Sequence, residues 1–225
     1  MIGNEIFARP DFSVWSYPLG VPHCPDGDKG FPDLSDEEMV RARRFRRASD
    51  RARYEGAHAA LRSRLAEFTG RGRRDLVFRR GPWGKPELSD PGDCWFNLSY
   101  RDDVALIATS ISREVGVDVD SLQDLIDIDG TALEIMSAHE RLSWSRFPET
   151  ERLPSLLRCW TRKEAVLKAL GIGLSLDPRG FSVGFGCGCT RLSVTVDERE
   201  VALEVFSFKV RPRYMGAVAL VIGPR

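Results

Sequence analysis

The sequence predicts an α+β protein made of two similar α+β halves, about residues 1–112 and 113–225, packed as an internal pseudo-dimer. Three observations carry this reading. The order helix, strands, alanine-rich closing strand occurs twice, so that "DVALIATS" at 103–110 and "GAVALVIG" at 216–223 occupy equivalent places, as do "AHAALRSRL" and "KEAVLKAL". The strands come in hairpin-like runs broken by turn residues, which favours antiparallel sheets over a wound parallel one. The chain has 225 residues, 42% of them hydrophobic and 29% charged, enough for one large domain or two small ones.

Taken in order, residues 12–34 read as a short strand followed by a Pro-, Gly- and Asp-rich loop. "LSDEEMVRARRF" starts a helix with Ser35 as N-cap and Glu38 at the capping-box spacing. A second helix runs from about Asp50 to Phe68 and stops before Gly70. "DLVFRR" and "WFNLSY" have strand character with the turn-rich "GPWGKPELSDPGD" between them, and "VALIATS" is a buried strand. In the second half "EVGVDVD" is a strand, and helices are expected at about 131–145 and 153–170. "FSVGF", "RLSVTVD", "VALEVFSFKV" and "MGAVALVIG" complete the strands.

Thirty-three basic and 33 acidic residues leave no net charge, so nothing draws the whole chain to nucleic acid or membrane. No window approaches 18 uninterrupted apolar residues, and the N-terminus lacks the basic start and apolar run of a secretory signal. A cytoplasmic protein is expected. The five cysteines, an odd count, argue against a disulfide framework. "CGC" at Cys187 and Cys189 and the pair His23–Cys24 lack the second C-x2-C of a structural zinc site, and ordinary thiols are the simpler reading. Arginine outnumbers lysine 28 to 5, yet Lys85, Lys163 and Lys168 all fall within motifs.

Two stretches carry chemistry. In "GVDVD", residues 116–120, strand alternation turns Val117 and Val119 one way and Asp118 and Asp120 the other. Two carboxylates ~7 Å apart on one face suit either a solvated edge or a magnesium site, since that ion takes oxygen ligands. In "WTRKEAVLKALG", residues 160–171, helical periodicity groups Leu156, Leu157, Trp160, Val166, Leu167 and Leu170 on one apolar face. Lys163 falls inside that face and Glu164 near its edge. Glu164 and Lys168, at i and i+4, make either a surface salt bridge or a third ligand beside a phosphate-binding lysine.

"GVDVD" followed some 40 residues later by "WTRKEAVLKALG" resembles the signature pair of the Sfp-type 4′-phosphopantetheinyl transferases. "WGKP" at 83–86, "FNLSY" at 96–100, "RFRRASDRARYEGAHAALR" at 44–62 and "IMSAHERLSW" are similar to further segments of that family. The resemblance runs from about residue 41 to the end. It implies a monomer with pseudo-two-fold symmetry that moves the phosphopantetheine arm of coenzyme A onto a serine of an apo acyl or peptidyl carrier protein, releasing adenosine 3′,5′-bisphosphate. It implies that Asp118, Asp120 and Glu164 hold Mg2+ and that Lys168 meets the phosphates; from its place on the helix, Lys163 is expected to flank the phosphates as well. Arg44, Arg53, Lys85, Ser99 and Tyr100 would bind the 3′-phosphate end. Glu164 or a metal-held water, or else Glu140, would take the serine proton. Residues 121–158 would form much of the carrier-docking surface. The chain departs from the family at Asp120, where many relatives have Glu, and at Tyr100, where His is usual. A metal-dependent nuclease is the rival enzyme class, disfavoured by the neutral charge. A non-enzymatic carrier-protein binder is disfavoured by the retention of Glu164 and Lys168.

Overall fold

The computed structural model describes residues 2–19, 31, 33–90, 94–121 and 127–223. His23 and Cys24 lie outside the described residues. The elements run β1 (Asn4–Arg9), β2 (Phe12–Pro18), α1 (Asp36–Ala42), α2 (Ala48–Thr69), β3 (Phe78–Arg80), β4 (Pro86–Leu88), β5 (Trp95–Arg101) and β6 (Val104–Ser110). They continue with β7 (Val115–Ser121), α3 (Ile128–Ile135), α4 (Ala138–Trp144), α5 (Glu149–Leu170), β8 (Thr190–Val196), β9 (Arg199–Arg211) and β10 (Tyr214–Val221).

The strands form two four-stranded antiparallel sheets, β1-β2-β6-β5 and β7-β10-β9-β8, with β3-β4 as a separate hairpin. Alternation along β6 sorts the layers. Ala105 and Ile107 pack with Leu61 and Leu65 of α2, while Val104, Leu106 and Ala108 meet Val115, Val117 and Val119 of β7 and Val218 and Leu220 of β10. The opposite face of the second sheet, with Leu203, Val205, Ala217 and Ala219, packs on Val166, Ala169 and Leu170 of α5. The result is four layers, α2, sheet, sheet and α5, with apolar cores between successive layers.

The two sheets also meet edge to edge. β5 and β7 are edge strands lying side by side. The carboxamide Oδ1 of Asn97 accepts the Val117 N–H at 2.9 Å, and the Ser99 hydroxyl accepts the Val119 N–H at 3.4 Å. Side chains of "FNLSY" thus satisfy an edge that no ladder covers.

Each half opens its helical part in the same way. Ser35 caps α1 and Ser137 caps α4, each with a reciprocating capping-box glutamate, Glu38 and Glu140. Both glutamates are buried, and each pairs with a cation at the same position along the following 22-residue helix: Arg62 of α2 at 2.7 Å and Lys163 of α5 at 2.8 Å. Burial pushes the Glu38 carboxyl up, but hydrogen bonds from His58, the Ser35 N–H and Arg62 outweigh it and hold it at about 2. Both long helices end on a left-handed glycine, Gly70 (φ 71°) and Gly171 (φ 69°).

Four expectations needed adjustment. The helix expected at 131–145 is two helices, because Ser137 starts a new capping box between them. "FSVGF" is not a strand: the Val183 and Gly184 carbonyls are taken by Arg162 instead of a ladder. "DLVFRR" becomes a strand only at Phe78, after a 3-10 turn at Arg73–Asp75. β1 was not foreseen; it pairs with β2 through a bulge between Glu5 and Phe7.

One contact constrains the second half most tightly. A Cβ at Gly116 would lie 2.2 Å from the Ala165 carbonyl oxygen and 2.2 Å from the Ala169 amide nitrogen, both backbone atoms of α5. Neither can yield as a flexible side chain would. Gly116→Ala is therefore expected to lower stability by about 3 kcal/mol or more, at or above the usual overpacking range, read as a shift of the denaturation midpoint.

Candidate active site

Because Gly116 lets α5 lie directly on β7, the strand positions facing the helix, Asp118 and Asp120, meet the helix positions facing the strand, Trp160, Glu164 and Lys168. Asp118 is 5% exposed. Its Oδ1 accepts the Lys168 ammonium at 2.6 Å and the Ser99 hydroxyl at 2.9 Å. Lys168 also donates to the Ser99 oxygen at 3.1 Å. Ser99 thereby uses its one donor and both acceptor positions on Asp118, Lys168 and the Val119 N–H.

Asp120, half-buried, is held from three sides. Its Oδ1 accepts the Ser121 N–H at 2.8 Å and stands 3.4 Å from the Arg101 guanidinium; its Oδ2 accepts the Trp160 indole N–H at 3.1 Å. Burial nevertheless holds its carboxyl above the ordinary value, and Asp118 adds to the rise. The Glu164 carboxyl is raised as well, by burial first and then by repulsion from Asp118, against which Lys168 acts. Asp118, Asp120 and Glu164 thus feel one another. Among the described residues, no three His, Cys, Asp or Glu side chains are drawn into a ready-made ligand set.

A basic hollow lies on the N-terminal half. Arg41, Arg44 and Arg80, with Asp36, Glu37, Val40 and Phe45, line an open cavity of about 690 Å³. Tyr100 lies close enough for Arg41 and Asp50 to act on its hydroxyl, which burial raises above its ordinary value. Arg53 pairs with Asp50 at 3.2 Å and, at 3.9 Å, with Asp102. Arg41 and Arg80 were not singled out from the sequence. Arg41 is detectable as the residue one helical turn before Arg44, whereas Arg80 reaches the hollow only because the β3-β4 hairpin folds toward α1.

Several expected phosphate contacts are placed elsewhere. Lys163 is wholly buried, its three N–H donors spent on the Glu140 carboxylate and the carbonyls of Pro178 and Phe181. It has none left for a phosphate. Glu140, 1% exposed, accepts the Ser137, Val183 and Gly184 N–H groups as well as Lys163, so its carboxylate is enclosed and bonded within the second half. Burial pushes its carboxyl up, but Lys163 and the backbone donors win and hold it low. Lys85 donates at 3.0 Å to both the Val115 and Ala169 carbonyls, joining the β3-β4 hairpin to β7 and the end of α5. It lines a different cavity from Arg44, one of about 420 Å³ that it shares with Trp83, Trp95, Glu114, Leu170 and Gly171. Ser99 sits at the acidic seam instead of the basic hollow.

Arg162, also missed, is fully buried and donates to Ser207 and to the carbonyls of Val183, Gly184, Gly188 and Val205. It ties the segment bearing Cys187 and Cys189, both exposed and unbridged, to α5.

A family model described as the 4′-phosphopantetheinyl transferase superfamily matches residues 114–209, which contain both β7 and α5. The 4′-phosphopantetheinyl transferase HetI of Nostoc sp. is 31% identical over 175 residues, covering 76% of this chain and 73% of that protein. This chain belongs to the 4′-phosphopantetheinyl transferase family. A putative 4′-phosphopantetheinyl transferase of Synechocystis sp. is 32% identical over 169 residues, 74% of this chain and 67% of its own length. The 4′-phosphopantetheinyl transferase ffp of Bacillus subtilis is 27% identical over 185 residues, 82% and 81% of the two chains. The chain is accordingly an enzyme, and its own elements are of mixed helix and sheet. Among the described residues no helix is long and apolar enough to cross a membrane.

Reassigning Lys163 is directly testable. Lys163→Met strands Glu140 in the core and is expected to cost about 3–5 kcal/mol of stability. The folded fraction should bind coenzyme A as the parent does, as measured by calorimetry. A loss of affinity without a loss of stability would return Lys163 to the phosphates.

Proposed function

We propose that the chain transfers the 4′-phosphopantetheine arm of coenzyme A to a serine of an apo acyl or peptidyl carrier protein. The observation that carries this reading is the seam where Lys168 and Ser99 converge on Asp118, with Asp120 and Glu164 beside them as acids raised by burial. Asp118, Asp120 and Glu164 repel one another across β7 and α5 and offer only oxygen, the donor type a hard divalent cation takes, and such an ion would draw them together and relieve that repulsion. Asp118, Asp120 and Glu164 would hold Mg2+, which would neutralise charge on the pyrophosphate when bound.

The chain's own residues then do the following. Lys168, half-buried at the open side of the seam, contacts the phosphates. Glu164, the raised acid, takes the proton of the incoming serine. The serine oxygen forms its bond to the phosphorus nearer the pantetheine, the bond from that phosphorus to the bridging oxygen breaks, and adenosine 3′,5′-bisphosphate leaves. Arg44, with Arg41 and Arg80, supplies the cationic hollow for the 3′-phosphate, and Tyr100 contributes a hydroxyl in place of an imidazole. Arg53, paired to Asp50 and Asp102, would add a further cation for the same phosphate. We read the repeated plan of the two halves, with a boundary near residues 112 and 113, as a duplicated unit acting as a monomeric cytoplasmic enzyme.

The test is to incubate the protein with coenzyme A, Mg2+ and an apo carrier protein and to weigh the carrier. A gain of one phosphopantetheine is expected, and an unchanged mass would refute the reading. Asp118→Ala and Glu164→Ala should each slow transfer at least about a hundredfold while remaining folded. A near-parental rate in either would remove that residue from the ligand set.

A substrate lacking the 3′-phosphate separates the two ends. With dephospho-coenzyme A, the affinity penalty of Arg44→Ala should largely vanish, whereas that of Lys168→Ala should persist. Equal penalties for Arg44→Ala on both substrates would place the 3′-phosphate away from the basic hollow.

A further inference from the structure

We infer that Trp160 is a positioning residue that orients the Asp120 carboxylate toward a divalent cation through its indole N–H, with Arg101 as a weaker ion-pair partner. This rests on the reading above that the seam binds such an ion. The geometry is specific. Trp160 lies on α5 one helical turn before Glu164, and Asp120 lies on β7 two residues beyond Asp118, so the 3.1 Å bond from Nε1 to Oδ2 spans strand and helix. Trp is a donor with no acceptor, so the contact has one polarity only. The rest of the ring packs against the core formed by Leu156, Val166 and Leu170. The indole is therefore fixed by packing, and the carboxylate by the indole.

Asp120 needs this more than a glutamate would. Of its roughly four lone-pair positions, the Ser121 N–H and the Trp160 N–H engage two, and the Arg101 guanidinium stands 3.4 Å from Oδ1 as an ion-pair partner. The unbonded positions are aimed by these contacts. They are left for the ion or for a water attached to it. A short side chain anchored on three sides presents that acceptor in a fixed direction. Left unanchored, it would sample several rotamers and present the acceptor in each only part of the time. Partners of this kind typically account for 10- to 100-fold in metal affinity.

The experiment is Mn2+ titration of the full chain with coenzyme A present, followed by electron paramagnetic resonance. The variants are the parent, Trp160→Phe, Asp120→Ala and the double variant. Trp160→Phe keeps the apolar ring and removes the donor. It should weaken Mn2+ binding about tenfold in the parent background and have no further effect once Asp120 is Ala. Unchanged affinity in Trp160→Phe would overturn the role. Equal weakening with and without Asp120 would also overturn it, because Trp160 would then act on the fold. If Trp160→Phe loses its native circular dichroism, Arg101→Gln carries the same cycle, with a smaller weakening expected only when Asp120 is present. Absence of Mn2+ binding by the parent overturns the metal reading itself, and that outcome is visible before any Trp160 variant is compared.

Discussion

Everything at the seam depends on how closely α5 approaches β7. Only a residue without a Cβ fits at Gly116, with the backbone of Ala165 and Ala169 on the other side. That single close approach turns two sequence-distant signals, a strand with alternating aspartates and a helix with an inward-facing glutamate and lysine, into one cluster. Alanines at 217 and 219 on the neighbouring strand keep the rest of the interface shallow. The helix is pressed flat on the sheet, and its polar residues at the margin are forced against the acids.

The same helix serves two purposes with adjacent residues. Arg162 and Lys163 face the body of the second half and are spent on carbonyls and on Glu140. Glu164 and Lys168, further round the helix, face β7. Burying a cation is costly unless every donor is matched, and both buried cations meet that condition. Arginine suits the site that must reach several carbonyls and a hydroxyl, because its donors fan out in one plane. Lysine suits the tighter site beside the capping-box glutamate. In the first half Arg62 takes the place that Lys163 takes in the second, and its donors reach Glu38 and the carbonyls of Arg73 and Leu76.

Charge is arranged asymmetrically between the halves. Arg41, Arg44 and Arg80 gather in the hollow of α1 and the β3-β4 hairpin, and acids raised by burial gather on β7 and α5. Lys168 bridges the two regimes: its ammonium lies on Asp118 and on a serine contributed by the first half. The arginine-lined hollow and the acids of β7 and α5 are thus separate places on the molecule. That division suits coenzyme A, which carries its 3′-phosphate and its pyrophosphate at separate places.

The sequence by itself determined the elements whose signals are local. The Ser35–Glu38 capping box, the glycine stop at Gly70 and the alternation that sets Asp118 and Asp120 on one face were all legible, because each depends on neighbours a few residues away. The inward position of Lys163 was legible too, but not its partner. A helical wheel shows that a charge is buried and is silent on what it meets, and Glu140 is brought there by a loop and a second capping box. Likewise, motif spacing located Lys85 and Ser99 but not their destinations. Lys85 closes the end of α5, and Ser99 caps an uncovered strand edge while holding Asp118. Which carboxylates crowd together, which cations remain available and which indole reaches Asp120 were decided only by the packing of two sheets and a helix. Those contacts join residues 20 to more than 80 positions apart, and no local propensity encodes them.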